Sequence, residues 1–146
     1  MQIQEIMTQD PACCTPEANV RDVARMMADN DCGEIPVLDE SSRPIGVVTD
    51  RDIACRVVAQ GNDPERTIAR DVMSSPVITA SPEDDVADCL EKMEQNQIRR
   101  VPVVDESGAC CGMLAQADIA RAASEGDIAE LVRDVSQPSR QPSRAS

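Results

Sequence analysis

The chain contains no Phe, Tyr, Trp or His. A nucleobase therefore finds no aromatic ring to stack on, and Val, Ile, Leu, Met, Ala and Cys alone must fill the core. Without histidine the commonest general base and the commonest metal ligand are both missing. That weighs against Ser-His, Cys-His and zinc-hydrolase chemistry before any spacing is considered, so no enzymatic activity is expected. No apolar run approaches the ~20 residues of a membrane helix. The opening Met1-Gln2-Ile3-Gln4-Glu5 lacks the basic start and apolar middle of a signal peptide. A cytoplasmic location away from membranes is the expectation. Positive charge is also scarce: 14 Lys and Arg face 27 Asp and Glu, for a net charge of −13. Such a surface opposes DNA, RNA and anionic lipid, which need a basic footprint. Cysteine is plentiful, at positions 13, 14, 32, 55, 89, 110 and 111, yet no Cys-x-x-Cys spacing occurs. This is neither a zinc nor a disulfide framework. A free Cys usually acts as a small buried hydrophobe. The alternative is a redox or soft-metal site on the vicinal pairs Cys13-Cys14 and Cys110-Cys111.

What the chain does have is an internal repeat. Residues 16–54 lie over residues 82–120 without a gap, at an offset of 66, and 15 of the 39 aligned pairs are identical. Chance would give roughly two or three, so a duplication is the better explanation. The match extends upstream, with Ile6-Met7-Thr8 over Val72-Met73-Ser74.

Apolar Val20, Val23, Ala24 and Met27 follow the i, i+3, i+4, i+7 spacing of an amphipathic helix, and Val86, Cys89, Leu90 and Met93 repeat it. Asn19 with Asp22, and Asp85 with Asp88, have the spacing of an N-cap and its acidic partner. Each helix is followed by two β-rich runs, residues 35–38 and 45–48 in the first copy, 101–104 and 111–114 in the second. Polar turns at 39–42 and 105–108 join them. Pro36 and Pro102 cannot donate a ladder hydrogen bond, which predicts a strand start or an edge for each. Second helices should begin near Asp50 and Gln116. A further short strand is predicted ahead of each unit, at 12–15 and 77–80.

The fold class predicted is thus α/β of the α+β kind: two pseudo-symmetric β-α-β-β-α repeats, residues 1–60 and 68–124, packed sheet to sheet. Residues 61–67 form the linker, 125–136 are assigned a C-terminal helix, and 137–146 read as a solvated tail. Each half is of marginal size for independent stability, so the two copies should bury their sheets against each other.

These features resemble the CBS family, two domains in tandem forming what is called a Bateman module, here of the stand-alone bacterial type. The marks are the Pro-Val strand followed by Gly-x-x-Thr-x-x-Asp-Ile, complete as Gly46-Val47-Val48-Thr49-Asp50-Arg51-Asp52-Ile53. The second copy, Gly112-Met113-Leu114-Ala115-Gln116-Ala117-Asp118-Ile119, keeps the Asp and lacks the Thr. The resemblance implies a regulatory module with no required cofactor. It would bind an adenine nucleotide (AMP, ADP or ATP) in the cleft between the repeats and signal to a regulated protein. It also implies a homodimer.

Carried over residue by residue, the resemblance puts the ribose on Asp52 and Asp118 and phosphate on Thr49. The base would lie among Cys13, Cys14 and Ile35 in one pocket and among Ile78, Ala80 and Val101 in the other. Arg99 and Arg100, just before the second Pro-Val strand, would hold phosphate. The first copy has Gly33-Glu34 there, and Glu34 would repel a polyphosphate unless paired, with Arg51 the nearby candidate. Physically, a carboxylate can accept both hydroxyls of a cis-diol. Thr-x-x-Asp opening a helix is equally an acidic capping box. The aliphatic positions are equally core residues. The rival readings are a sensor of S-adenosylmethionine or a dinucleotide, a ligand-free scaffold, and a thiol-based redox or metal sensor.

Overall fold

The computed structural model describes residues 1–125. A 3-10 turn, Ile3–Glu5, leads to a two-residue strand β1, Thr8–Gln9. The first repeat follows as α1 (Val20–Asn30), β2 (Glu34–Leu38), β3 (Pro44–Thr49) and α2 (Asp50–Ile53), which runs on as a π-helical stretch, Ala54–Val58. A short helix α3 (Ala69–Val72) opens the second repeat. It continues as α4 (Val86–Asn96), β4 (Arg100–Val104), β5 (Cys110–Ala115) and α5 (Gln116–Ser124). The segments assigned to a C-terminal helix and tail lie almost wholly outside the described residues. Among the described residues no helix is long and apolar enough to cross a membrane.

The helix starts follow from their caps. Asn19 Oδ1 accepts from the Asp22 N–H at 2.9 Å, and Asp85 Oδ1 from the Ala87 N–H at 3.1 Å, each satisfying an otherwise orphaned first-turn donor. Val20, Val23 and Met27 of α1, and Val86, Cys89 and Met93 of α4, are the buried stripes that the periodicity predicts.

Strands β2 and β3 pair antiparallel, as do β4 and β5, with a register shift at matching places, Val37/Leu38 and Val103/Val104. The predicted leading strands at 12–15 and 77–80 shrink to one bridging residue each. Cys14 donates to Pro36 O at 3.0 Å and accepts from Leu38 N–H at 2.9 Å; Ala80 does the same with Pro102 and Val104, at 3.0 and 2.8 Å. Proline explains the brevity. Pro36 and Pro102 direct their nitrogens to this side of the strand and supply no donor, so parallel pairing cannot extend past one residue. The prolines therefore sit within β2 and β4, which are edge strands of their sheets, the edge alternative of the expectation, and there the missing donor breaks no ladder bond.

The two repeats exchange their leading segments. β1, at the head of the first repeat, pairs with β5 of the second (Thr8 opposite Met113, Gln9 opposite Gly112). Reciprocally, Ser74 and Val47 exchange backbone bonds of 2.8 and 3.0 Å, tying the head of the second repeat to β3 of the first. The cores follow the exchange. Ile3 is fully buried with Val86, Met93, Val101 and Leu114, while Ala69 and Val72 are buried with Val20, Ile35 and Val48.

The motif glycines make this exchange sterically feasible. A Cβ on Gly46 would lie 2.3 Å from Met73 Sδ, and one on Gly112 would lie 2.6 Å from Met7 Sδ and 3.0 Å from Thr8 O. Each glycine leaves room for the methionine of the incoming segment. Gly46→Ala is expected to cost ~1–2 kcal/mol through overpacking, read as a lower urea midpoint with unchanged slope.

Candidate functional site

Asp52 and Asp118 occupy the third position of their helices and are nearly inaccessible, at 8% and 6% exposure. Asp52 Oδ2 accepts from the Thr49 N–H at 2.9 Å, and Thr49 Oγ1 accepts from the Asp52 N–H at 3.0 Å. The capping box is therefore fully formed, and Thr49 spends an acceptor site on it. In the second copy Asp118 Oδ2 accepts from the Ala115 N–H at 2.9 Å, and the reciprocal bond is missing because Ala115 has no hydroxyl.

The other carboxylate oxygen of each Asp meets the exchanged segment. Ser74 Oγ donates to Asp52 Oδ1 at 3.1 Å, and Thr8 Oγ1 to Asp118 Oδ1 at 3.5 Å. An arginine further along each helix completes the set. Arg56 Nε stands 3.9 Å from Asp52 Oδ1, and Arg121 Nη2 donates to Asp118 Oδ1 at 2.7 Å. The motif itself does not point to Thr8, Ser74, Arg56 or Arg121. A signal existed for the hydroxyls, because Thr8 and Ser74 are 66 positions apart and end the matched upstream run.

Asp118 also lies in the wall of a cleft of about 210 Å³, lined by Glu5, Ile6, Met7, Asp118, Arg121, Ala122 and Glu125. It opens between the exchanged N-terminal segment and α5, so both halves of the duplication contribute to it. Three carboxylates and one guanidinium give it an acidic lining.

The remaining sequence-predicted residues fall into two groups. Ile35, Val101, Ala80 and Cys14 are buried in the two cores, and Ile78 and Cys13 are half-buried; none of these lines the Asp118 cleft. The charged residues gather where the repeats meet. Glu34 opens β2, and Arg100, 66 positions on, opens β4. Burial raises the Glu34 carboxyl to about 7, with Arg100 opposing the rise, Asp50 and Asp52 adding to it, and Arg99 opposing it less. The expected Glu34–Arg51 pairing is thus corrected. Arg51 is exposed on α2, and the cations that act on Glu34 come from the other repeat.

A CBS domain profile matches residues 3–58 and again 69–125. The chain belongs to the CBS family. Among CBS relatives, hypoxic response protein 1 of Mycobacterium tuberculosis is 30% identical over 92% of this chain and 94% of its own length. An uncharacterized Methanopyrus kandleri protein is 34% identical over 80% of this chain, which spans 60% of that protein. A crystal structure of hypoxic response protein I, with two coordinated zinc ions, superposes with a TM-score of 0.76 at 30% identity, covering 83% of this chain and 98% of the other. A CBS domain protein of Pyrobaculum aerophilum complexed with AMP gives 0.76 at 32% identity, covering 91% and 99%. The CBS domain pair of protein MJ0100, in complex with 5′-methylthioadenosine and S-adenosyl-L-methionine, gives 0.77 at 25% identity, covering 86% and 98%. Among the described residues of the present chain, no three His, Cys, Asp or Glu side chains come together as a metal site would require.

Proposed function

We propose that this CBS pair is a non-catalytic sensor of an adenosyl compound, with AMP, ADP or ATP as the first reading, that signals to a partner protein. The carrying observation is Asp118, whose carboxylate stands in the wall of the cleft with one oxygen on the Ala115 N–H. The other oxygen is held partly by the Thr8 hydroxyl at 3.5 Å, a long and weak contact that a ribose hydroxyl could replace. The AMP-bound and S-adenosylmethionine-bound relatives support an adenosyl ligand. With no aromatic ring available, base affinity rests on aliphatic burial and backbone hydrogen bonds, and micromolar binding is expected. The ligand regulates only if it binds two states of the module with different affinities.

One observation favours a second reading. Glu5, Asp118 and Glu125 outnumber Arg121 around the cleft, an environment that disfavours a polyphosphate and suits the sulfonium of S-adenosylmethionine. A phosphate would instead seek Arg99 and Arg100.

The test uses the chain's own spectroscopic silence. With neither Trp nor Tyr, the purified protein barely absorbs at 280 nm, so a copurified adenine compound dominates near 260 nm, and mass spectrometry of the released ligand names it. Titration with AMP, ATP and S-adenosylmethionine then ranks the readings. Arg100→Ala is expected to weaken AMP and ATP while sparing S-adenosylmethionine. Absence of binding by all three compounds would leave a scaffold.

A further inference from the structure

The cleft beside Asp118 has a counterpart in the first repeat, and there an arginine side chain fills it. At the offset of 66 that relates the two copies, Asp118 corresponds to Asp52, Ile6 and Met7 to Val72 and Met73, and Ala122 to Arg56. Asp118, Ile6, Met7 and Ala122 all line the cleft. In the first repeat the Arg56 guanidinium lies among their equivalents. Its Nη1 donates to Val72 O at 3.0 Å and to Met73 O at 3.1 Å, while Nε stands 3.9 Å from Asp52 Oδ1. One planar cation thus bridges the helix carboxylate and the two carbonyls that end α3. Arginine suits the place because its N–H donors are fixed in a fork and its charge is permanent.

The second repeat presents the corresponding groups without that side chain. Ala122 is buried in the cleft wall, and its methyl group ends where the Arg56 side chain continues. Arg121 does not take over the role. It stands one position earlier on α5, is largely exposed, and among the described residues its hydrogen bonding goes to Asp118, at 2.7 Å, and to neither Ile6 nor Met7. Glu5 and Glu125, both exposed, add negative charge to the same lining.

We propose that the Asp118 cleft is a binding site for a guanidinium group brought by another molecule, which supplies to the second repeat what Arg56 supplies to the first. The ligand class is a guanidino compound, carried either by an arginine side chain of a partner protein or by a small free molecule. Its fork donates to the Asp118 carboxylate and to the Ile6 and Met7 carbonyls, as Arg56 does with their counterparts. An ammonium offers a compact point charge and no planar fork, so it binds this set of acceptors less well. The site stands apart from the adenosyl reading: AMP, ADP and ATP carry no guanidinium, and the binding is measured with no nucleotide present.

The experiment titrates the isotope-labelled full chain with ethylguanidinium chloride and, separately, with ethylammonium chloride at constant ionic strength, following backbone amide signals. Ethylguanidinium is expected to give saturable shifts at Met7, Asp118 and Ala122 with millimolar affinity, as suits so small a ligand. Ethylammonium should bind about tenfold more weakly, the loss of roughly one charge-assisted hydrogen bond. In Ala122→Arg the built-in guanidinium should occupy the cleft and abolish the shifts. In Arg56→Ala a second set should open at Val72 and Met73, and ethylguanidinium should restore the lowered thermal midpoint more than ethylammonium does. Capped arginine amide binding more tightly than free arginine identifies a protein segment as the source, because Glu5 and Glu125 repel the free carboxylate; the reverse order identifies a small guanidino compound. No saturable shift in the wild-type chain, equal binding of the two cations, or shifts that persist in a folded Ala122→Arg chain overturns the proposal. The wild-type titration needs no variant, so a substitution that fails to fold cannot leave the outcome open.

Discussion

Asp118→Ala is expected to weaken binding of the adenosyl ligand about 10- to 150-fold, the equivalent of roughly 1.5–3 kcal/mol for a charged hydrogen-bond partner. Calorimetric titration with AMP and S-adenosylmethionine reads this directly. The carboxylate already uses one oxygen on the Ala115 N–H and shares the other between Arg121 and Thr8. Removing it takes away the group that would grip the ribose diol and leaves the Arg121 guanidinium without its partner. The same substitution removes a helix-end contact, so unfolding must be measured in parallel; Thr8→Ala provides a milder probe. It removes only the competing hydroxyl and leaves the cap intact. If Asp118→Ala folds normally and binds both ligands as the wild type does, Asp118 is a capping residue and nothing more. Asp52→Ala carries the same logic at a site that Thr49, Ser74 and Arg56 already fill more completely.

Glu34→Gln should stabilise the protein at pH 8 by up to about 3 kcal/mol and make no difference below about pH 4.5. The folded-state carboxyl titrates at about 7, above the ordinary value of 4.5, chiefly because it is buried. For a group raised on folding, the native state binds the proton more tightly. Its contribution to stability is therefore complete below about 4.5 and is lost as pH climbs through 7. Glutamine keeps the shape and never ionises, so the loss disappears. Urea unfolding of both proteins at pH 4.5, 6 and 8 measures the curve. Equal pH dependence in the two would mean that Arg100 and Arg99 fully offset the burial of Glu34.

Much of the architecture was legible because the duplication states each element twice. Helical spacing located α1 and α4, and side-chain caps at Asn19 and Asp85 fixed where they begin. Strands β2 to β5 and the starts of α2 and α5 also matched their patterns within a residue. The leading strands did not, because an extended run between prolines looks the same whether it pairs once or four times. Nor could local pattern show which partner β1 takes: alternation describes a strand, while its neighbour is chosen by long-range packing, here Met7 against Gly112 and Met73 against Gly46. The site was legible as a motif, Asp52 and Asp118, with the roles of the surrounding hydroxyls and arginines set by contacts 22 and 110 residues apart in the chain. Glu34 was flagged as needing a cation. That its partner would come from the opposite repeat is a tertiary fact.

The crossing of the two leading segments means that the unit copied by duplication is not the unit that folds. Cutting the chain between residues 61 and 67 would release two pieces, each with an unsatisfied sheet margin and each carrying hydrophobic side chains that belong in the other's interior. Neither fragment is expected to be soluble and ordered when expressed singly, whereas coexpression should reunite them. Any signal that loosens one half must for the same reason be felt in the other, since each holds the opening stretch of its sibling.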